Sequence, residues 1–178
     1  MYKAVFIDMD GTLLKSDHSV SEVNRVAIDR LLQKGVLVVI ISARPLHGIL
    51  PISKHIVSDD MPVVSLNGSY ILHKNEIIYQ AAVSLEDTLS IHNEISDYEV
   101  SPMYYSQMDW YAEMENDRTK KEQKITPVDI KIQPFTATLA VWESTNSGPN
   151  KILIAGDKDL IITIEERLNQ LHEGKLNI

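Results

Sequence analysis

Two carboxylates stand close together near the N-terminus, directly after a short apolar run. The segment reads Asp8-Met9-Asp10-Gly11-Thr12-Leu13-Leu14 and follows the apolar residues 4–7. Two aspartates two positions apart at the end of a strand can point to one place once the chain leaves extended geometry, and a glycine permits the tight turn that this requires. Exposed backbone N–H groups in such a turn can hold phosphate oxygens. The simpler alternative is a solvated turn, but the whole segment in this position favours a phosphate-handling site.

Two further polar segments follow the next apolar runs. Ser42-Ala43-Arg44 comes after residues 36–41, and Asn67-Gly68 comes shortly after residues 63–64. In an open α/β sheet, ligands bind at the carboxyl ends of the strands. A serine hydroxyl beside a helix N-terminus can bond a phosphate oxygen, although Ser42 as a helix N-cap explains the pattern equally well. Asn67-Gly68 alone predicts a simple turn. The coincidence of three such segments favours one shared site.

These segments carry a resemblance to a known family. Residues 8–14 resemble the first motif of the haloacid dehalogenase superfamily, in which the first aspartate attacks phosphorus and the second is the general acid and base. Residues 42–44 resemble its second motif, with Ala43 where glycine is usual. Asn67-Gly68 resembles a segment beside the phosphate in the cap-carrying, Cof-type sugar-phosphatase branch. The phosphate-binding or substrate-binding residues that the resemblance implies are Met9, Gly11, Thr12, Ser42, Ala43, Arg44, Asn67 and Gly68.

The resemblance implies a hydrolase for a small phosphorylated metabolite, with Asp8 and Asp10 as catalytic residues and as metal ligands. A carboxylate facing a phosphate dianion is repelled unless a cation lies between them, so Mg²⁺ is the expected cofactor. Attack by Asp8 gives an aspartyl-phosphate, while Asp10 protonates the leaving alcohol and then deprotonates water. Arg44 is either a substrate contact or a structural ion-pair partner.

Two motifs that the family carries further along its chain have only poor counterparts here. The candidates for its lysine and its acidic metal motif are Lys151 and Gly156-Asp157, which lie at the two ends of one predicted strand. Asp157 or Asp159 as the cap of the following helix is the better interpretation. The sequence therefore resembles a family member truncated before the C-terminal core motifs, and we expect this polypeptide alone to be weakly active or inactive. The alternative is a non-catalytic fragment or interaction module that forms a homo-oligomer or needs a complementing chain.

Strands and helices in alternation are predicted to position the site. Residues 4–7, 36–41 and 63–64 read as strands, and the second, a continuous apolar run, is typical of a parallel strand covered on both faces. The first predicted helix has Ser19 and Glu22 as a capping box and Gly35 as its stop. Its predicted apolar face consists of Val23, Val26, Ala27 and Leu31. The second predicted helix starts at Pro45 and is shortened by Pro51. This order indicates a doubly wound α/β, Rossmann-like parallel sheet.

The remainder of the chain predicts a second unit. Residues 70–79 read as a hairpin turning at Lys74-Asn75. We assign residues 1–80 to the N-terminal part of the core and residues 81–178 to an inserted, incomplete α/β cap domain. Its predicted helices cover residues 84–95 and a late segment with four apolar residues in phase, and its predicted strands cover residues 100–105, 110–114 and 151–155, with another beginning at 175. The four phased residues are Ile161, Ile164, Leu168 and Leu171, and the aromatic residues predicted to pack in the core are Tyr104, Tyr105, Trp110 and Tyr111.

Composition excludes several classes of function. The formal net charge is −8 and the pI is near 5.2, which argues against a non-specific partner of nucleic acid or of an acidic membrane. The absence of cysteine excludes disulfides and thiol chemistry. No apolar run approaches the roughly 20 residues that span a bilayer, and no secretory signal is recognisable, so a cytoplasmic location is expected.

Overall fold

A computed structural model describes residues 2–57, 60–125 and 128–178. The chain divides into two compact units, Met1–Ala81 and Ala82–Ile178. Within the described residues, no helix is both long and apolar enough to cross a membrane.

The first unit is built on one five-stranded sheet. Its elements are β1 (Ala4–Asp8), α1 (Glu22–Gln33), β2 (Leu37–Ile41), α2 (Leu46–Ser53), β3 (Val63–Ser65), β4 (Tyr70–His73) and β5 (Glu76–Gln80). The strand order is β1-β2-β3-β4-β5. The first three strands run parallel, and β4 and β5 continue the sheet antiparallel. The predicted α/β fold class with a parallel sheet is confirmed, although the order of the described strands does not reverse as in a doubly wound sheet.

The strands and turns of this unit follow from their residues. Val38, Val39 and Ile40 of β2 are all buried, as expected of a parallel strand covered on both faces. The predicted hairpin turns at Lys74 (φ 52°) and Asn75 (φ 63°), the two positive φ angles that a two-residue turn between twisted strands requires.

The predicted start and apolar face of α1 are wrong. Ser21, not Ser19, is the N-cap, and its hydroxyl accepts a bond from the backbone N–H of Asn24 at 3.1 Å. Ser19 belongs instead to the small hairpin before the helix, where its carbonyl accepts a bond from Lys15 N–H and its amide and hydroxyl donate to the Asp17 carboxylate. The helix buries Ile28, whereas Val23 is 78% exposed, so the predicted face is turned away from the sheet.

The second helix is close to its prediction. It covers Leu46–Ser53, with Pro45 as the N-cap residue and not as the first helical residue. Pro51 lies inside its last turn, and the helix ends two residues later, because a proline removes one backbone bond and crowds the preceding turn.

The second unit has its own four-stranded sheet. Its elements are α3 (Leu85–Ile95), β6 (Ser101–Ser106), β7 (Asp109–Ala112), α4 (Asp117–Ile125), β8 (Lys131–Ile132), α5 (Phe135–Thr145), β9 (Lys151–Ala155) and α6 (Lys158–Leu171). The strand order is β8-β7-β6-β9. Sequence reasoning missed α4, a charged run without apolar periodicity, and α5. Residues 175–178 do not form the predicted strand, because backbone bonds from Lys175 and Leu176 to His172 turn the chain after α6.

Two clusters form the core of the second unit. Ile91 and Ile95 of α3 pack with Ile164 and Leu168 of α6. In the other cluster, the rings of Tyr104 and Trp142 lie 5.5 Å apart at 65°, an edge-to-face geometry that aromatic pairs favour. All four aromatic residues that we predicted to be in the core, Tyr104, Tyr105, Trp110 and Tyr111, are buried. Leu171, predicted in phase with the α6 core residues, is exposed instead, because it lies in the last turn of the helix.

Candidate functional site

The three predicted segments lie together at the carboxyl ends of three neighbouring strands of the first sheet. Asp8 pairs with Ile41, and Ile41 pairs with Val64, so the three strands end in register. Backbone bonds then join the following loops: Ser42 N–H donates to the Val64 carbonyl at 2.9 Å, and Asn67 N–H donates to the Ser42 carbonyl at 3.2 Å. The backbone at the end of β2 is therefore hydrogen-bonded to the end of β3 and to the loop that follows it.

The segment after β1 forms a wide turn over Met9–Leu13, closed by a bond from Leu14 N–H to the Met9 carbonyl at 2.9 Å. The Met9 side chain is fully buried, whereas Asp8, Asp10 and Thr12 are exposed. Gly11 has φ 76°, a conformation that costs other L-residues about 1–2 kcal/mol. The buried methionine thus anchors a turn that leaves both carboxylates at the surface.

The Gly11→Ala variant tests whether the turn depends on this φ angle. A Cβ at Gly11 would meet no atom within 4 Å, so the effect is conformational, and we expect a loss of about 1 kcal/mol in the free energy of unfolding. Gly35→Ala is a matched control, because Gly35 has φ 69° and equally free space. In urea titrations both variants should lose similar stability, but only Gly11→Ala should shift the NMR signals of Arg44. A Gly11→Ala variant as stable as the parent would contradict the argument.

Arg44 makes a two-pronged ion pair with Asp10. Its Nε donates to Asp10 Oδ2 at 2.8 Å, and its Nη2 donates to Oδ1 at 2.6 Å. The Arg44 side chain is only 4% exposed, and that of Asp10 is 42% exposed. A guanidinium fork fixes both the position and the plane of a carboxylate. Of the two roles left open by the sequence, the structure shows the ion pair.

Asp8 differs from Asp10 in having no partner. Among the described residues, nothing donates a hydrogen bond or forms an ion pair with its exposed carboxylate. Mg²⁺ is commonly held by one or two carboxylates together with substrate phosphates and water, and the oxygen ligands at this turn fit that requirement. No group of three or more His, Cys, Asp or Glu with metal-site geometry occurs in the described part of the chain.

Ser42 is a turn-forming residue and not the cap of α2. Its hydroxyl oxygen accepts a bond from the backbone N–H of Arg44 at 3.1 Å, and the side chain is buried. This bond leaves the hydroxyl proton of Ser42 available for another acceptor. It also fixes the backbone from which the Arg44 side chain starts.

The loop after β3 is strained. Leu66, Asn67 and Gly68 have φ angles of 49°, 58° and 91°, and Leu66 is buried. Ser65 Oγ donates to the Tyr70 carbonyl at 3.0 Å, and Ser69 Oγ donates to the Leu66 carbonyl at 2.7 Å, which holds the loop in place. A buried leucine in the left-handed region persists only when its surroundings enforce it, and such strain concentrates at functional sites.

A small hairpin adds His18, a residue that sequence reasoning missed. Leu14 bridges to Val20, and Lys15 N–H donates to the Ser19 carbonyl at 2.9 Å. At the tip, His18 has φ 59°, and its Nδ1 lies 3.3 Å from Arg44 Nη2. The sequence contains no signal for this contact, which joins positions 26 apart.

Asp17 stabilises the hairpin in a way that depends on pH. Hydrogen bonds from the Ser19 hydroxyl and amide, with Lys15 nearby, lower the pKa of Asp17 from 3.8 to about 2. A lowered pKa in the folded state means that the stabilisation is complete above 3.8 and is lost as the pH falls towards about 2. The stability difference between the parent and Asp17→Asn should therefore vanish over this interval. A carboxyl ¹³C titration that places Asp17 at its ordinary pKa would contradict this.

The poor counterparts of the family's later motifs lie in the second unit and have partners there. Lys151 Nζ lies 5.5 Å from the centre of the Tyr105 ring. Burial lowers the pKa of Lys151 below its ordinary value, and Glu122 acts in the opposite direction. Asp157 is the N-cap residue of α6, although its side chain makes no capping bond, and its carboxylate lies 3.6 Å from Arg118.

Comparisons with known proteins agree on the lineage of this chain. The sequence profile of the haloacid dehalogenase-like hydrolases matches residues 5–178. A Haemophilus influenzae protein named "Putative phosphatase" is 36% identical over 173 residues, which are 96% of this chain and 63% of that protein. The chain thus spans just under two thirds of the length of this curated relative.

Solved structures share the fold. A haloacid dehalogenase-like hydrolase from Bacteroides thetaiotaomicron superposes with a TM-score of 0.84 and 24% identity, over 99% of this chain and 66% of that one. A subclass IIB sugar phosphatase of the superfamily superposes with a TM-score of 0.74 and 20% identity, over 94% of this chain and 62% of that one. At these identities the likeness establishes the fold.

Proposed function

The chain belongs to the haloacid dehalogenase-like hydrolase family, and on that premise we propose that its site performs magnesium-dependent phosphomonoester hydrolysis through Asp8. The observation that carries the proposal is the Asp8 carboxylate, which has no partner among the described residues and lies next to the Asp10–Arg44 pair, where three parallel strands end together.

The reaction proceeds in two steps. An Asp8 carboxylate oxygen attacks phosphorus, the bond from phosphorus to the leaving oxygen breaks, and Asp10, which enters this step in its protonated form, gives that oxygen a proton. In the second step Asp10 takes a proton from water, the water oxygen attacks phosphorus, and the bond to Asp8 breaks. Inorganic phosphate leaves, and both aspartates return to their starting states.

The residues around the two aspartates serve this chemistry by position. Arg44 fixes the plane of the Asp10 carboxylate through its two hydrogen bonds. Each carboxylate oxygen still has a free lone pair that can accept the proton transferred during the reaction. The Ser42 hydroxyl, the side-chain amide of Asn67 and the backbone N–H groups of Met9, Gly11, Thr12 and Gly68 would hold phosphate oxygens, and Ala43 would lie beside them. Asp8 and Asp10 would ligate Mg²⁺, which supplies the positive charge that lets a carboxylate approach a phosphate dianion.

The substrate class we propose is a small sugar phosphate. The support is the structural likeness to a sugar phosphatase and the second α/β unit, Ala82–Ile178, which we assign as a cap domain. A cap of this kind excludes water and contacts the leaving group.

The assay that tests the proposal is hydrolysis of p-nitrophenyl phosphate with Mg²⁺ and with excess EDTA. We expect the 178-residue chain alone to show weak turnover or none, and any turnover to require Mg²⁺. Metal-independent turnover would contradict the mechanism, and fast Mg²⁺-dependent turnover would contradict only the expectation of weak activity.

A second candidate, an interaction module, is favoured by one observation. Among the described strands, β1 pairs only with β2, and Phe6 in its centre is 62% exposed. An open strand edge with an exposed aromatic side chain is a template for another chain. Sedimentation of the pure protein distinguishes the two, because a module of this kind should form an oligomer that Phe6→Lys weakens, and a monomer at all concentrations would exclude self-association.

A further inference from the structure

We propose that His18 is a positioning residue that holds the Arg44 guanidinium in the orientation in which it grips Asp10. The catalytic meaning of this inference rests on the proposed function, but the contact itself does not. It concerns three side chains from three parts of the first unit: the turn after β1, the small hairpin 14–20 and the loop after β2.

The geometry places two acceptors on one nitrogen. Arg44 Nη2 carries two protons; it donates one to Asp10 Oδ1 at 2.6 Å and lies 3.3 Å from His18 Nδ1. Because a guanidinium has donors and no acceptor, the histidine nitrogen must accept. We therefore assign Nδ1 as the acceptor in this contact, with the ring proton on Nε2.

The contact with His18 restricts the rotation of the Arg44 side chain. A long arginine side chain can rotate about several bonds, and its fork to Asp10 fixes only the Nε and Nη2 side of the group. When His18 Nδ1 accepts the second Nη2 proton, the position of this nitrogen is fixed from a second direction. We infer that the imidazole reduces the fraction of time in which Asp10 is released.

The hairpin holds the imidazole in place before any ligand arrives. His18 N–H donates to the Lys15 carbonyl at 2.9 Å, and the next residue, Ser19, is bonded through both its amide and its hydroxyl to Asp17. The φ of 59° at His18 is one that histidine and asparagine tolerate better than most residues. Hydrogen bonds within the hairpin therefore fix the backbone at His18, and its φ angle defines which replacements are free of strain.

Two variants separate the side chain from the backbone. His18→Gly removes the imidazole without strain at positive φ. His18→Asn keeps both a residue suited to that φ and an oxygen acceptor close to the position of Nδ1. Thermal unfolding of both variants should stay close to the parent, which establishes that the hairpin is intact.

NMR of the full chain tests the contact without any need for turnover. At about pH 8, above the ordinary pKa of histidine, long-range ¹H–¹⁵N spectra should show His18 protonated on Nε2 and not on Nδ1. Exchange of the Arg44 Nε–H with solvent should accelerate in His18→Gly by up to about tenfold, the equivalent of one ordinary hydrogen bond. His18→Asn should restore slow exchange. Protonation of Nδ1, or unchanged exchange in a folded His18→Gly variant, would overturn the proposal.

Steady-state kinetics of the same variants test whether the contact matters for catalysis. Where turnover is measurable, His18→Gly should lower kcat with little change in KM, and His18→Asn should recover most of the loss, because the contact positions Asp10 and not the substrate. An unchanged kcat in His18→Gly would refute the positioning role. If Asp8→Asn retained full turnover, the proposed function would fail, while the NMR results on His18 would still stand.

Discussion

The Asp8→Asn variant is expected to lose any magnesium-dependent phosphatase activity that the chain shows, by about a thousandfold or, for a weakly active parent, down to the detection limit of the assay. An amide oxygen is a poor nucleophile and carries no charge, and losses of this order or larger follow removal of a covalent nucleophile in other enzymes. Asp8 has no partner among the described residues, so the change should leave stability within about 0.5 kcal/mol. The measurement is p-nitrophenyl phosphate hydrolysis, with thermal unfolding of the same samples.

Asp29→Asn is the matched control, because Asp29 is an exposed carboxylate on α1 of the same unit. It removes the same charge and should keep the parent's activity. Equal and measurable turnover in the parent and in Asp8→Asn would show that the activity belongs to another group or to a contaminant.

Trp142→Ala should have the largest effect on stability. The Trp142 ring lies edge-on to Tyr104, Tyr111 and Phe135 and is buried in the second of the two clusters. Truncating a buried tryptophan costs about 3–5 kcal/mol, which is a large share of the total stability of a typical domain. Urea unfolding followed by circular dichroism should show the transition of the second unit at a much lower midpoint.

The neighbouring position provides the control for this experiment. Val141 lies on the exposed side of the same helix, and Val141→Ala should change the free energy of unfolding by no more than about 0.5 kcal/mol. Equal effects of the two substitutions would mean that the aromatic cluster does not stabilise the unit.

The sequence was sufficient for the parts of the fold that local chemistry decides. The continuous apolar run of β2, the glycine turn at Gly11, the left-handed stop at Gly35 and the turn at Lys74-Asn75 each have a local cause, and each was predicted correctly. The burial of Tyr104, Tyr105, Trp110 and Tyr111 was also predicted correctly, because large apolar rings are seldom left in water.

What the sequence did not predict depends on contacts between distant residues. Ser19 fits a capping box, but its backbone is paired with Lys15 in the hairpin, and the cap is Ser21. The roles of Arg44 and His18 depend on where the loop after β2 lies relative to the turn after β1 and the hairpin. α5, with a mostly apolar sequence, has no clear helical period to detect.

The central claim is that Asp8 accepts the phosphoryl group. Beryllofluoride binding, followed by ¹⁹F NMR, tests it most directly, because beryllofluoride bonds to an aspartate oxygen as a phosphoryl group would. The experiment does not require a complete turnover. The account predicts a bound ¹⁹F signal that requires Mg²⁺, is absent in Asp8→Asn and is retained in Asp29→Asn. A folded parent protein that gives no bound signal, or a signal that persists in Asp8→Asn, would contradict the claim that Asp8 accepts the phosphoryl group.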